Sequence, residues 1–370
     1  MARNGKVKKK PGVKKAAGAP STAVPAPTVI EVANAMGGGG SNAKGAKTAG
    51  PKRGDGPAVA AAAAPSHCSP ARFVSADETL LATGSCLTAE EVLTTAQVVG
   101  VVTAADVATA SSAASALLGF DPAALVLRLH EKLGTKPGEE DRWASNRAVS
   151  SRPGLRQRLL SAFRPTHPKA WLKEPRFWLS NLDIDAVMRQ YQEVGATRSP
   201  GFRFVGVFPR DFASPLDGSS CVSEAVCRLH VADELRAGVR QLGFVINLDK
   251  HTGRGTHWTS CYVGLDPGRP GRFGLWYYDS VGRAPPAEVR AFSKRIQAEV
   301  AAALPASAAD FVVSHNRVRK QFMESECGVY AMFFLVACVQ TDVSFEDLCS
   351  RVMRRDNDMH ALRRVFFRAP

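Results

Sequence analysis

The chain has 370 residues and a formal net charge of +14, with 45% hydrophobic and 22% charged residues. That length suits two domains, or one large domain with an appendage. No apolar run reaches the roughly 18 to 20 residues of a membrane span and no hydrophobic leader opens the chain, so a protein that is neither membrane-inserted nor secreted is expected.

Residues 1–56 hold eleven Lys/Arg against Glu31 and Asp55, and an alanine run follows at 58–64. Rich in Ala, Gly and Pro and without an aromatic residue, residues 1–65 lack the apolar surface to offset chain entropy and read as a disordered basic tail. Lys6 to Lys15 (KVKKKPGVKK) fits a nuclear-import signal, an arm that contacts nucleic-acid phosphates, or a plain solubilising tail. Residues 66–150 form a helical accessory region and linker. Thr88 caps one helix ahead of Glu90 and Glu91; Asp121, Pro122 and Gly134 are the cap, first position and stop of another. Residues 135–155, polar and broken by Pro and Gly, read as the linker.

Eight cysteines (68, 86, 221, 227, 261, 327, 338, 349) are scattered along the chain, which argues against a disulfide framework and for a reducing compartment. Cys221, Cys227 and His230 match no compact zinc spacing, and the last two fall in an amphipathic helix expected over 222–241. No metal or cofactor is called for.

Residues 151–370 alternate strand-like and helix-like segments, as a mixed α/β or α+β domain does. A helix starts near Ser180 or Asn181, with Leu182, Ile184, Val187, Met188 and Tyr191 at helical spacing. Strands follow at 243–248, 257–263 and 273–279, a helix with Val289, Phe292, Ile296 and Val300 on one face, a strand near 311–313, and helices at 344–355 and from Asp358.

Chemistry concentrates at Gln321 to Tyr330 (QFMESECGVY). Cys327 opens a buried helix, where the partial positive charge of free backbone N–H groups favours thiolate over thiol. Gly328 leaves the face beside the sulfur open to a substrate backbone. Gln321 supplies an amide donor where an oxyanion would develop. For a base, a hairpin centred on Gly268 sets His257 opposite Asp279, with directly opposed Cβ atoms roughly 4.5 to 5.5 Å apart. His251 and His315 have no carboxylate opposite them by any simple pairing, and Cys338 lies away from the helix start. Each piece has an ordinary structural reading as well: free Cys is among the most buried residue types, and Asp279-Ser280 suits a turn.

His257-Trp258, Tyr278-Asp279-Ser280, and Gln321 with Glu326-Cys327-Gly328 stand in the order and approximate spacing of the ubiquitin-like-protein protease superfamily. The chain resembles these clan CE cysteine peptidases, which include SUMO proteases and the adenovirus maturation protease. The likeness covers roughly residues 171–340, and Trp178-Leu179-Ser180-Asn181 looks like the family's entry helix. FVINLDKHTGRGTHW is most similar to polyprotein-processing proteases of the African swine fever virus type.

The resemblance implies an α+β, papain-like peptidase core with a central mixed sheet flanked by helices. It implies a triad of Cys327, His257 and Asp279, with Gln321 in the oxyanion hole. Trp178, Trp258 and Gly328 would line a tunnel that admits Gly-Gly. Glu326 replaces the Asp of many members, a change that keeps charge and is expected to matter little. The implied task is cleavage of viral structural precursors after Gly-Gly during virion maturation, in the virion and infected-cell cytoplasm. Removal of SUMO-type modifiers, in nucleus or cytoplasm, is the alternative. A nucleic-acid-binding module without catalysis and an acyltransferase on the same fold are further ones. Partners would be protein substrates with Gly-Gly-X sites, nucleic acid at the tail, and no membrane.

Overall fold

A computed structural model describes residues 67–70, 72, 83–103, 121–198, 201–216, 220–269 and 271–369; the basic tail lies outside these described residues. Its first part is helical. Helix α1 (Ala89–Val98) begins in a reciprocal cap, the Thr88 side chain accepting from the Glu91 N–H and the Glu91 carboxylate from the Thr88 N–H. Helix α2 (Pro122–Leu133) runs from the Asp121 cap to Gly134, whose φ of +64° ends it in the left-handed region. Residues 135–155, expected to be a linker, are packed instead. Trp143, Ala144 and Val149 share an apolar cluster with α1, α2 and α3 (Pro153–Ser161), and that cluster reaches Phe163. Its elements here are single turns, Glu140–Ser145 and Arg147–Ser150, too short to show a helical period.

Two disulfides, Cys68–Cys86 and Cys221–Cys227, correct the expectation that the cysteines stay unpaired. The scatter of eight cysteines over the whole chain hid two local pairs, 18 and 6 residues apart.

Helix α4 (Asn181–Arg198) is capped by Ser180, whose Oγ accepts from the Asp183 N–H while the Asp183 carboxylate accepts from the Ser180 N–H. Ile184, Val187, Met188 and Tyr191 are buried as their spacing predicts, whereas Leu182 is exposed. Next comes a strand the sequence reading missed, β1 (Phe202–Pro209). The expected helix over 222–241 is broken into two short turns, Glu224–Cys227 and Val231–Arg236. Gly238 at φ +83° ends the second and turns the chain into β2 (Gln241–Asn247).

Strands β3 (Trp258–Gly264) and β4 (Gly274–Tyr278) follow, then α5 (Ala287–Ala303) and β5 (Val312–His315). The five strands form one sheet in chain order, with the two outer pairings parallel and the two inner ones antiparallel. Successive residues of a strand face opposite sides, so Tyr262, Trp276 and Tyr278 enter one core while Cys261, Val263, Leu275 and Tyr277 enter the other. The first core is covered by α4, α6 (Cys327–Gln340) and α7 (Asp356–Phe366); the second is covered by α5, through Val289, Phe292, Ile296 and Val300. The expected helix at 344–355 is a short turn, Phe345–Asp347, and a wide one, Leu348–Val352. A mixed sheet flanked by helices is the α+β architecture expected from the alternation of segments. Among the described residues no helix is long and apolar enough to cross a membrane.

Candidate active site

Helix α6 supplies the sulfur. Residues 327–339 are all buried, so this helix is apolar all round and lies between the sheet and α4. Cys327 is its first residue, with Glu326 as N-cap, and is 2% exposed. Cys261, Cys338 and Cys349 lie within the cores, where burial pushes each thiol up, Cys338 to about 11.

Strands β3 and β4 supply the imidazole and the carboxylate. His257 immediately precedes β3 and Asp279 immediately follows β4. His257 Nε2 lies 2.6 Å from Asp279 Oδ1. The observed register pairs Ser260 with Tyr278, which sets Asp279 opposite Thr259. The hairpin is therefore two residues out of the register expected from a centre at Gly268, and the contact is diagonal. Asp279 has no exposed surface, and its other bonds fix it: the Val281 N–H donates to Oδ1, and Asn316 takes both its backbone N–H and its carbonyl. The Cys327 side chain acts on the same ring, and with Nε2 engaged by Asp279 it is Nδ1 that is left for the thiol. Burial lowers the imidazole pKa, but the bond to Asp279 and the charged partners Asp279 and Cys327 outweigh it and push His257 up to about 9.

Gln321 is 3% exposed and held at both ends of its amide. Ser280 Oγ donates to Oε1 at 2.5 Å, and Nε2 donates to the Met323 carbonyl at 2.6 Å, leaving the second N–H of that nitrogen for another acceptor. Ser280 follows Asp279 directly, so one turn carries the imidazole's partner and the amide's.

Trp258 is half-buried and its Nε1 donates to the Leu179 carbonyl at 3.0 Å; Trp178, the residue before, is 41% exposed. That bond ties the Trp258 indole to the backbone of Leu179, 79 residues away in sequence and next to Trp178. Gly328 differs from expectation: a Cβ there would meet Leu179 at 3.2 Å and Trp258 at 3.3 Å, so its small size lets those side chains close on the helix rather than leaving an open face. Glu326 differs too. Its carboxylate is wholly buried among Arg363 Nε at 2.7 Å, His360 Nδ1 at 2.9 Å and Ser325 Oγ at 3.0 Å.

No family model matches the chain. Over 197 residues it is 25% identical to a protein of Acanthamoeba polyphaga mimivirus, a thiol protease by name, covering 52% of this chain and 57% of that one. Over 126 residues it is 29% identical to a SUMO-1 cysteine protease of African swine fever virus, covering 34% of this chain and 43% of the relative. Its homologues are viral cysteine proteases. The chain spans about half the length of these curated relatives, 57% and 43%. Among solved structures, the crystal structure of an African swine fever virus protease superposes with a TM-score of 0.49 at 19% identity, over 66% of this chain and 87% of that one. The yeast SUMO protease domain of Ulp1 bound to Smt3 gives 0.35 at 18% identity, over 52% and 76%.

The other histidines find different places. His251 does have a carboxylate partner, Asp211, with Nδ1 to Oδ2 at 2.8 Å, on a loop contact no strand register could reveal. His315 is the last residue of β5, paired with Tyr277, in a strand that runs beyond the expected 311–313. His67, Cys68 and Cys86 bring donor atoms within 4.8 Å of one another, with both sulfurs joined in the disulfide, as are those of Cys221 and Cys227 beside His230. Sequence reasoning gave no role to Ser280, Asn316, His360 or Arg363. Ser280 stood inside a quoted motif; the others reveal themselves only through contacts 34 to 37 residues distant.

Proposed function

We propose that the chain is a cysteine endopeptidase in which Cys327, His257 and Asp279 act as a triad. The observation that carries this reading is the single imidazole held by the Asp279 carboxylate at 2.6 Å, while the Cys327 thiol at the start of α6 acts on the same ring. In this mechanism His257 already holds the proton given up by the Cys327 thiol; the sulfur attacks the scissile carbonyl carbon, and a C–S bond forms as the carbonyl π pair moves to oxygen. The second N–H of Gln321 Nε2 and a backbone N–H at the start of α6 stabilise that oxyanion. Collapse expels the amine, which leaves with the proton held by His257. Water, deprotonated by the same imidazole, then cleaves the thioester and restores the thiol. Asp279 holds the ring's orientation and its positive charge.

Substrates are protein segments with two glycines before the cut, a reading supported by Trp258, which is fixed by Leu179 and closes on Gly328 beside Cys327. Viral structural precursors are the substrate class, in keeping with the viral origin of the homologues. A second reading, cleavage after the Gly-Gly end of a SUMO-type modifier, is favoured by the name carried by the African swine fever virus relatives. A peptide panel varying the two residues before the cut, run on the full chain beside Cys327→Ala, tests the proposal. Cleavage confined to Gly-Gly peptides and lost in Cys327→Ala supports it. Cleavage that persists in Cys327→Ala, or none on any peptide or SUMO-type fusion, removes it.

A further inference from the structure

We propose that helix α7 is the positioning element of this site, gripping both ends of the 321–326 loop through Asp356, His360 and Arg363. The inference rests on the reading of Cys327 as nucleophile and Gln321 as oxyanion donor. That loop carries Gln321 at its start and delivers Cys327 at its end, so its shape sets the distance between attacking sulfur and stabilising amide.

The three α7 residues are spaced four and three apart, which puts them on one face of the helix. At the leading end, Asp356 Oδ2 accepts from the Phe322 N–H at 2.8 Å and the Met323 N–H at 3.1 Å. The carbonyl of that same Met323 holds the Gln321 amide at 2.6 Å. Asp356 thus fixes the backbone from which the oxyanion donor is held. At the trailing end, Arg363 Nε and His360 Nδ1 each engage one oxygen of Glu326, and Arg363 also donates to the Ser325 carbonyl at 3.0 Å. Glu326 is adjacent to Cys327, and a carboxylate left unpaired there would oppose negative charge on the sulfur. Arg363, 3% exposed, neutralises it.

The same guanidinium reaches the substrate wall. Its Nη1 donates to the carbonyls of Pro175 at 3.0 Å and Phe177 at 2.8 Å, directly before Trp178, and its plane lies over the Trp171 ring at 4.4 Å. A planar fork with this many donors is a task for arginine, since lysine has a point charge in place of the fork. Nucleophile, oxyanion donor and tunnel wall therefore share one support.

The test uses the full chain with Asp356→Ala, Asp356→Asn and Arg363→Lys, measuring kcat and KM on a Gly-Gly peptide, the rate of Cys327 alkylation by iodoacetamide, and Tm. Loosening an oxyanion donor without touching the nucleophile is expected to lower kcat roughly 30- to 100-fold in Asp356→Ala, with KM within about threefold. Alkylation should stay within about twofold of wild type, and Asp356→Asn, which keeps an oxygen acceptor, should recover most of kcat. Arg363→Lys should slow alkylation as well as kcat, about tenfold each. In Asp356→Ala, an unchanged kcat or a fall in alkylation parallel to that in kcat overturns the proposal, as does an Asp356→Asn variant as impaired as Asp356→Ala. A wild type inert toward every peptide would instead sink the functional reading. The support is then judged by alkylation alone: a slowing of at least about fivefold in Arg363→Lys upholds it and an unchanged rate overturns it.

Discussion

His257 Nε2 and Asp279 Oδ1 meet at 2.6 Å across a hairpin whose register sets them two residues apart. The diagonal works because both lie just past the ends of their strands, where the Asp279 backbone is locked by Asn316 rather than by the ladder. Replacing the carboxylate with an amide keeps the shape and removes the charge. Asp279→Asn is therefore expected to lower kcat/KM roughly 10²- to 10⁴-fold with KM little changed, measured on a Gly-Gly peptide. A variant within a few fold of wild type would remove Asp279 from the mechanism.

The pH dependence follows from His257. With its pKa pushed up to about 9, the ring stays an imidazolium through the neutral range, and kcat/KM should fall on a basic limb near pH 9 as the acid for the leaving amine is lost. The raised value also links to stability. Because the folded pKa exceeds the unfolded 6.5, the stabilisation is fully present below pH 6.5 and disappears as pH rises to about 9. Asp279→Asn should move the basic limb to lower pH and flatten this part of the Tm-versus-pH curve. A limb that stays near 9 in the variant would mean that another group sets it.

Ser280 and Gln321 make a graded pair. Gln321→Ala removes an oxyanion donor and should lower kcat about 10²- to 10³-fold. Ser280→Ala leaves the donor but frees its amide at one end, by loss of the 2.5 Å bond to Oε1, and should cost about tenfold. The double variant should be no worse than Gln321→Ala alone, since the serine acts through the amide. Additive losses would show that Ser280 acts elsewhere.

Gly328→Ala sets two effects against each other. The new methyl meets Leu179 and Trp258 at 3.2 to 3.3 Å, an overpacking that costs about 1 to 3 kcal/mol, while alanine gains about 1 kcal/mol in helix propensity. Tm should thus fall only slightly, whereas cleavage drops because Trp258 is displaced from the wall. Trp258→Ala should widen the passage and reduce the preference for Gly-Gly over Ala-Ala peptides about tenfold or more. Unchanged selectivity in that variant would place the filter elsewhere.

Much of the fold was legible where one rule governs one element. Thr88, Asp121 and Gly134 mark helix ends by local hydrogen bonds and backbone angle alone, and the alternation in β3 and β4 follows from burying two faces. β1 was missed because its pairing with β2 is long-range and a register shift between Phe204 and Gly206 interrupts it. Residues 222–241 misled because an amphipathic composition was read through Gly238, which the chain uses as a stop. At the site, the sequence brings Cys327, His257, Asp279 and Gln321 into consideration by type and position. It gives Glu326 too little weight, because the buried pairing of that residue with Arg363 depends on how α7 docks, a tertiary matter with no local signature.

Helix α6, buried along its length from residue 327 to 339, has no face on which water can reach its backbone. Its amides should exchange hydrogen only when the sheet and α4 part from it, which makes it part of the slowest-opening unit of the chain. The proposed nucleophile thus sits on the last element to loosen rather than on a mobile lid. Inactivation by heat or denaturant should coincide with cooperative unfolding of this core, so residual peptidase activity becomes a direct count of folded molecules.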